Sequence, residues 1–212
     1  SLGLVGSEMC IRDRGENIGR RAKTQYPVVG DVKSVIENIL PHVEEKKNRK
    51  FLDKMLKEHA HLLETVIENY GTKKPEKATP IQPEYAANLI DELADEDAVF
   101  TVDTGMCNVW AARYITPNGK KDELASFRHG TMANAVPQAI GAQAADRGRQ
   151  VITFSGDGGV SMLLGELITV QQHDLPVKMM VFNNSSLGMV KLEMMVAGPV
   201  SYTHLTLPTK RI

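Results

Sequence analysis

The chain has 212 residues, of which 42% are hydrophobic, 5% aromatic and 24% charged, with a formal net charge of −1 at pH 7. That apolar fraction excludes a wholly disordered chain, and the near-neutral balance leaves no broad basic field to hold a nucleic-acid backbone. No apolar run reaches the roughly 18 residues of a membrane span, and the two cysteines, Cys10 and Cys107, are too few for a disulfide framework, which suits a reducing cytoplasm.

The chain opens on Ser1, and residues 1–14 (SLGLVGSEMCIRDR) hold an apolar run, Leu2–Val5, too short for a signal peptide. At the other end, residues 201–212 (SYTHLTLPTKRI) show no period and are broken by Pro208. Both ends resemble translated sequencing-adapter read-through and are set aside as artefact. Between them, residues 15–30 read as loop with an extended piece at Tyr26–Val29. Asp31 can cap a helix whose apolar face is Val35, Ile36, Ile39, Leu40 and Val43, ended or kinked by Pro41. The charged run 44–50 precedes a second amphipathic helix over 51–69. Residues 71–83, rich in proline and lysine, form a linker and the expected domain boundary.

Beyond the linker the pattern alternates. Helix is expected at Glu84–Leu93, strand at Ala98–Val102, and helix at Asn108–Tyr114 and Asn134–Ala145. A strand at Val151–Ser155, a helix at Val160–Gln172 and a strand at Val177–Phe182 follow. Strand–helix–strand units with short links predict an α/β fold, a parallel sheet with helices on both faces and right-handed crossovers. A helical segment precedes it across the linker.

The sharpest feature is Gly156-Asp157-Gly158-Gly159 between a strand and a helix. Ligands in open parallel sheets bind beyond the carboxyl ends of the strands. Glycines let backbone approach a ligand, and the free N–H groups of a helix starting near Val160 suit a phosphate. Asp157 offers a hard oxygen. The next strand ends in Asn183-Asn184, so Asp157 and Asn184 sit at two strand tips and can converge on a cation such as Mg2+ or Ca2+. Gly-Asp-Gly alone also fits a tight turn with a capping aspartate. The 24 residues between Gly158 and Asn183 make the pair resemble the thiamine diphosphate signature.

The resemblance extends to RKFLDK (49–54), VWAARY (109–114), HGTMANAVPQAIGAQ (129–143), SGDGGVSMLLGEL (155–167) and LPVKMMVFNNSSLGMV (175–190). On these stretches the chain resembles a piece of the bacterial pyruvate oxidases, also described as quinone-linked pyruvate dehydrogenases. Residues 15–70 would then be the end of a middle, FAD-type domain, and 84–200 part of the domain that binds the cofactor's diphosphate. The resemblance implies that Asp157, Asn184 and the carbonyl of Ser186 hold Mg2+, and that Gly158 and Gly159 approach the diphosphate. Gly130, Thr131 and Met132 would meet the pyrimidine, with Met132 as the wedge that keeps the cofactor bent. The loop Ser185, Ser186, Leu187, Gly188, Met189, Val190 would cover the cofactor. Relatives usually carry an aromatic where Met189 stands.

The implied reaction is oxidative decarboxylation of pyruvate, with electrons passing through FAD to quinone or oxygen in a homo-oligomeric parent, tetrameric by family pattern, that is cytoplasmic or peripheral at the inner membrane. No catalytic residue is assigned within this chain, because the family's activating glutamate lies on a first domain. Acetolactate synthase shares fold, cofactor and flavin, but usually has a tryptophan just after the Leu-Gly-Met-Val stretch, where Lys191-Leu192-Glu193-Met194 stand here. A non-catalytic nucleotide-diphosphate module is a further alternative. Other residues have plainer readings: His129 as a loop histidine bonded to backbone, Cys107 as a buried thiol, Met179 and Met180 as strand core, Glu166 as a packing or capping carboxylate. Given thiamine diphosphate, Mg2+ and pyruvate, the isolated chain is expected to release no acetate in an enzyme-coupled assay, and Asp157-dependent turnover would overturn that expectation.

Overall fold

The computed structural model describes residues 9–20, 23–66 and 80–197. Much of the expected linker and the segment 201–212 lie outside the described residues, as does the end of the second amphipathic stretch. Two compact units divide after Lys57, and each is described by itself.

In the first unit, β1 (Met9–Arg12) pairs in parallel with β2 (Tyr26–Val29). Helix α1 (Val32–Ile39) begins as its sequence requires: Asp31 accepts a hydrogen bond from the Ser34 N–H at 3.0 Å, filling one of the free donors of the first turn. Pro41 ends it, and Leu40–His42 form a short 3-10 turn. The apolar face expected to be buried is not: Ile36, Leu40 and Val43 are exposed. Periodicity selects which residues share a face, but burial needs an element on the other side. Helix α2 (Lys50–Val66) follows.

The second unit is built on a four-stranded, wholly parallel sheet in the order β4-β3-β5-β6. Its strands are β3 (Val99–Val102), β4 (Asp122–Ala125), β5 (Val151–Gly156) and β6 (Lys178–Phe182). The central strands β3 and β5 are buried on both faces and read as continuous runs of Val, Ile, Phe and Thr, as parallel strands covered on two sides do. Alternation sends Phe100, Val102, Ile152 and Phe154 to one side. There they pack with Ala87 of α3 (Pro83–Leu93), Cys107, Ala111 and Tyr114 of α4 (Met106–Tyr114), and Val66. Val99 and Val151 face the opposite side and meet Ala139 of α5 (Ala135–Ala145). The alanines of α5 let its backbone lie close to the sheet.

The structure departs from the sequence reading in four places. Strand β4 is not expected from its residues, Asp-Glu-Leu-Ala, which lack β-branched or aromatic side chains. It forms on the backbone of β3 and is anchored at its first residue by Arg149, whose Nη1 lies 2.6 Å from Asp122 Oδ2. The expected helix 160–172 is two: α6 (Asp157–Met162) and α7 (Glu166–Gln172), separated by a turn at Leu163–Gly165. Helix thus begins at Asp157 itself and lasts only six residues. The expected loop 185–190 is cut short, because α8 (Gly188–Ala197) starts at Gly188. Finally, Met179 is not core: β6 is an edge strand, and Met179 and Val181 are exposed while Met180 packs inward. Among the described residues, no helix is long and apolar enough to cross a membrane.

Phe154 is the centre of this core, fully buried, with Phe100 edge-on at 5.8 Å and Phe182 at 5.1 Å between ring centroids. Phe154→Ala is expected to lower the unfolding free energy of the second unit by about 3–5 kcal/mol in urea denaturation followed by circular dichroism. A loss below about 1 kcal/mol would contradict this core.

Candidate functional site

Parallel pairing brings three strand ends to one edge of the sheet. Val102 stands beside Phe154, and Gly156 beside Phe182. The residues that follow, Asp103, Asp157, and Asn183 with Asn184, therefore leave the sheet side by side at its carboxyl end, where helices and loops leave room for a ligand.

After β5 the chain turns into α6 through Asp157, Gly158 and Gly159. Both glycines leave room for close neighbours, Gly159 the more strictly, since its neighbour is a buried carboxylate while that of Gly158 is the end of a flexible leucine. A Cβ on Gly158 would stand 2.6 Å from Leu187 Cδ2 and 3.3 Å from Met132 Cε. A Cβ on Gly159 would collide with Asp103 Oδ2. The structure thus gathers Met132, Gly158, Gly159 and Leu187, four of the residues expected from sequence. It also places Gly188 against Asn184, where an added Cβ would meet Asn184 Nδ2 at 2.8 Å and Met106 Cγ at 3.2 Å.

The turn after β6 is held by its own asparagines. Asn183 Oδ1 accepts the Ser185 N–H at 2.9 Å and Asn184 Oδ1 accepts the Ser186 N–H at 3.0 Å, so each side chain imitates a backbone turn. Ser185 sits at φ 53°, a left-handed conformation that costs a non-glycine residue roughly 1–2 kcal/mol. The carbonyl of Ser186 accepts the Gly188 N–H at 2.9 Å. Met189 and Val190 are half-buried in the first turn of α8.

On the other side, Gly130 has φ +62° and lies against Thr104 Cγ2, while Thr131 is exposed. Its carbonyl accepts Asn134 Nδ2 at 2.5 Å. Ala133, buried between Met132 and the start of α5, is a second non-glycine residue with positive φ, 63°. His129 is exposed, and no bond from its ring to backbone accompanies it among the described residues. Glu166 takes a local role, accepting from Thr169 Oγ1 at 3.2 Å.

The residue the sequence reading missed is Asp103. It is 1% exposed. Its Oδ1 accepts the Ala135 N–H at 2.9 Å and Asn134 Nδ2 at 3.3 Å, filling from a distant strand the cap that Asn134 does not supply. Ser155 faces the same carboxylate from the end of β5, though neither its Oγ nor Asp103 Oδ2 has a hydrogen bond of ordinary geometry. Burial pushes the Asp103 carboxyl above the ordinary carboxylate range, against the pull of Ala135, Ser155 and Asn134. A signal was available: Asp103-Thr104-Gly105 follows β3 much as Asp157-Gly158-Gly159 follows β5.

The donors present fit a magnesium diphosphate. Asp157 would supply one carboxylate, Asn184 an amide oxygen with a lone pair to spare, and Ser186 a carbonyl. Among the described residues no group of three or more His, Cys, Asp and Glu is placed to hold a metal ion. A hard cation held by so few protein oxygens takes its remaining ligands from phosphate and water. The bare backbone at Gly158 and Gly159 gives that phosphate its place, and the six-residue α6 contributes less dipole than a long helix would.

The sequence profile described as thiamine pyrophosphate enzyme, C-terminal TPP binding domain, matches residues 103–211. Similar proteins include YdaP of Bacillus subtilis strain 168, named as a thiamine pyrophosphate-containing protein, 31% identical over 185 residues, or 87% of this chain and 32% of that protein. The acetolactate synthase large subunit of Lactococcus lactis subsp. lactis strain IL1403 is 31% identical over 178 residues, 82% of this chain and 29% of that subunit. An acetolactate synthase of Mycobacterium bovis is 34% identical over 177 residues, 82% and 28% respectively. The chain spans about a third of the length of these relatives.

Cys107 lies beneath the site, donating to the Asp103 carbonyl at 3.3 Å. Burial first, and the negative Asp103 second, push its thiol up to about 11. With Cys10 replaced by serine, Cys107 is expected to resist iodoacetamide at pH 8 and to react only on unfolding, as followed by mass spectrometry. Alkylation of the folded chain at the rate of a free cysteine would overturn the assignment.

Proposed function

Because the chain belongs to the thiamine pyrophosphate enzymes through their C-terminal cofactor-binding domain, we propose that it holds the Mg2+ and diphosphate of thiamine diphosphate in an enzyme that decarboxylates pyruvate. The observation that carries this reading is the cradle at Gly158 and Gly159. It is bare of side chains at both glycines, bordered by Met132, Leu187 and Asp103, and flanked at adjacent strand tips by Asp157 and Asn184. When bound, the cofactor supplies an electron sink for the carbon that loses its carboxylate. The chain's own residues bind and orient it. Asp157, Asn184 and the Ser186 carbonyl hold Mg2+, Gly158 and Gly159 admit the diphosphate, and Met132 with the Gly130–Thr131 backbone meets the pyrimidine end. Leu187 covers the diphosphate, and α8 carries Met189 and Val190 along its border.

Two reactions fit this site. Carboligation of the acetolactate synthase kind has the support of the relatives, several of which carry that name. Oxidation of pyruvate through FAD to quinone or oxygen is supported by Lys191-Leu192-Glu193-Met194, which lack the tryptophan usual in the synthases at that place. The synthase reading is preferred on the relatives, and a homo-oligomeric parent suits both. Product analysis on the full-length enzyme separates them, since acetolactate and acetate are chemically distinct.

Titration calorimetry of the chain with thiamine diphosphate and Mg2+ is expected to show saturable binding that ADP and Mg2+ do not reproduce. Asp157→Asn should weaken it at least about tenfold by removing the anionic Mg2+ ligand. Equal affinity for ADP, or no effect of the substitution, would overturn the assignment.

A further inference from the structure

Among the described residues, Asp103 is the one fully buried carboxylate, the proposed binding role leaves it unused, and it touches both sides of the cradle. Toward one side its Oδ1 holds the Ala135 N–H and Asn134 Nδ2, and Asn134 in turn holds the Thr131 carbonyl. This chain of bonds clamps the Thr131–Ala135 turn, which contains Ala133 in its left-handed conformation and presents Met132 to Gly158. A strained residue of this kind persists only when its surroundings over-determine it. Toward the other side, Oδ2 has no hydrogen bond and lies directly against the position where Gly159 lacks a Cβ. Any larger residue at 159 would drive the carboxylate, and the turn it holds, away from the glycines.

We propose that Asp103 is a positioning residue that fixes the distance between the two halves of the cofactor cradle, the diphosphate turn at Gly158–Gly159 and the Met132 turn. The inference rests on the thiamine diphosphate reading and adds to it a division of labour. Asp157 and Asn184 determine whether the diphosphate end binds. Asp103 determines whether the organic end finds Met132 at the right place once it has. Asparagine at 103 can still accept the Ala135 N–H and keeps the volume of the carboxylate. Leucine keeps the branched outline, with bulkier methyl groups in place of the oxygens, and accepts nothing.

The test compares two probes on the full 212-residue chain: thiamine diphosphate with Mg2+, and inorganic diphosphate with Mg2+, which reports the diphosphate end alone. Asp103→Leu is expected to reduce the preference for thiamine diphosphate over inorganic diphosphate about tenfold, while affinity for inorganic diphosphate changes little. Asp103→Asn should keep most of the preference. In the ligand-free chain, hydrogen exchange at the Ala135 amide should quicken in the leucine variant and stay slow in the asparagine variant. If the leucine variant fails to fold by circular dichroism, Asn134→Ala takes its place, since it removes the bridge to Thr131 and leaves the carboxylate intact. It should lower the same preference in the same direction. Equal loss of both ligands, in step with a lowered melting temperature, marks a merely structural residue and overturns the proposal, as does an unchanged preference. If the unmodified chain binds neither probe, the functional reading fails and this inference with it.

Discussion

The parallel pairing of β5 with β3 on one side and β6 on the other is the constraint on which the site depends. Parallel strands deliver all their carboxyl ends to one edge, so a residue placed just past each strand is brought next to its counterparts however far apart they stand in sequence. Asp103, Asp157 and Asn184 come from three separate crossovers and meet for this reason alone. The core beneath, Phe100, Phe154 and Phe182 on one side and Val99, Val151 and Ala139 on the other, has the further role of holding that edge in register. A one-residue slip of β6 against β5 would send the side chains of β6 to the opposite face of the sheet.

Around this edge the chain gives up local comfort for close approach. Gly158 and Gly159 forgo side chains so that Leu187, Met132 and Asp103 can crowd the turn. Ala133 and Ser185 adopt left-handed conformations on opposite walls, each in a segment tied down by side-chain hydrogen bonds. Asp103 is buried with one oxygen satisfied and the other not, a cost of about 1–3 kcal/mol for the unmet group in proteins generally. Strain, bare backbone and an under-satisfied carboxylate falling within one small region is the pattern of a site arranged to receive a ligand, not of a turn optimised for stability.

The binding function and the choice of reaction belong to different parts of such an enzyme. In the proposed reading, the residues described here provide oxygens for a hard cation, room for a diphosphate and an apolar wedge, which would serve either of the two reactions alike. The relatives match the chain over most of its length, while the chain spans only about a third of theirs. Selection between joining a second pyruvate and passing electrons to a flavin depends on groups that face the substrate.

Much of this was legible in the residues. Continuous apolar runs at 98–102, 151–155 and 177–182 identified parallel strands, because burial of β3 and β5 on both faces removes alternation, and the spacing of Gly-Asp-Gly to Asn-Asn pointed to the candidate site. Asp31 and Pro41 marked the ends of α1 by chemistry internal to a few residues. What escaped depended on partners distant in sequence. Strand β4 is charged and forms because β3 offers it a backbone edge. The apolar face of α1 is exposed, since periodicity says which side chains share a side but not what lies opposite. The helix after the glycines breaks at Leu163–Gly165, and the cover loop ends early in α8. The chain's own residues determined its class of fold and the chemistry of Asp157 and Asn184, because those follow from local pattern and side-chain type. Only the tertiary structure brought Asp103 from β3 to the start of α5 and to the face of Gly159, because a buried carboxylate acquires its role from groups that lie 32 and 56 residues further along the chain.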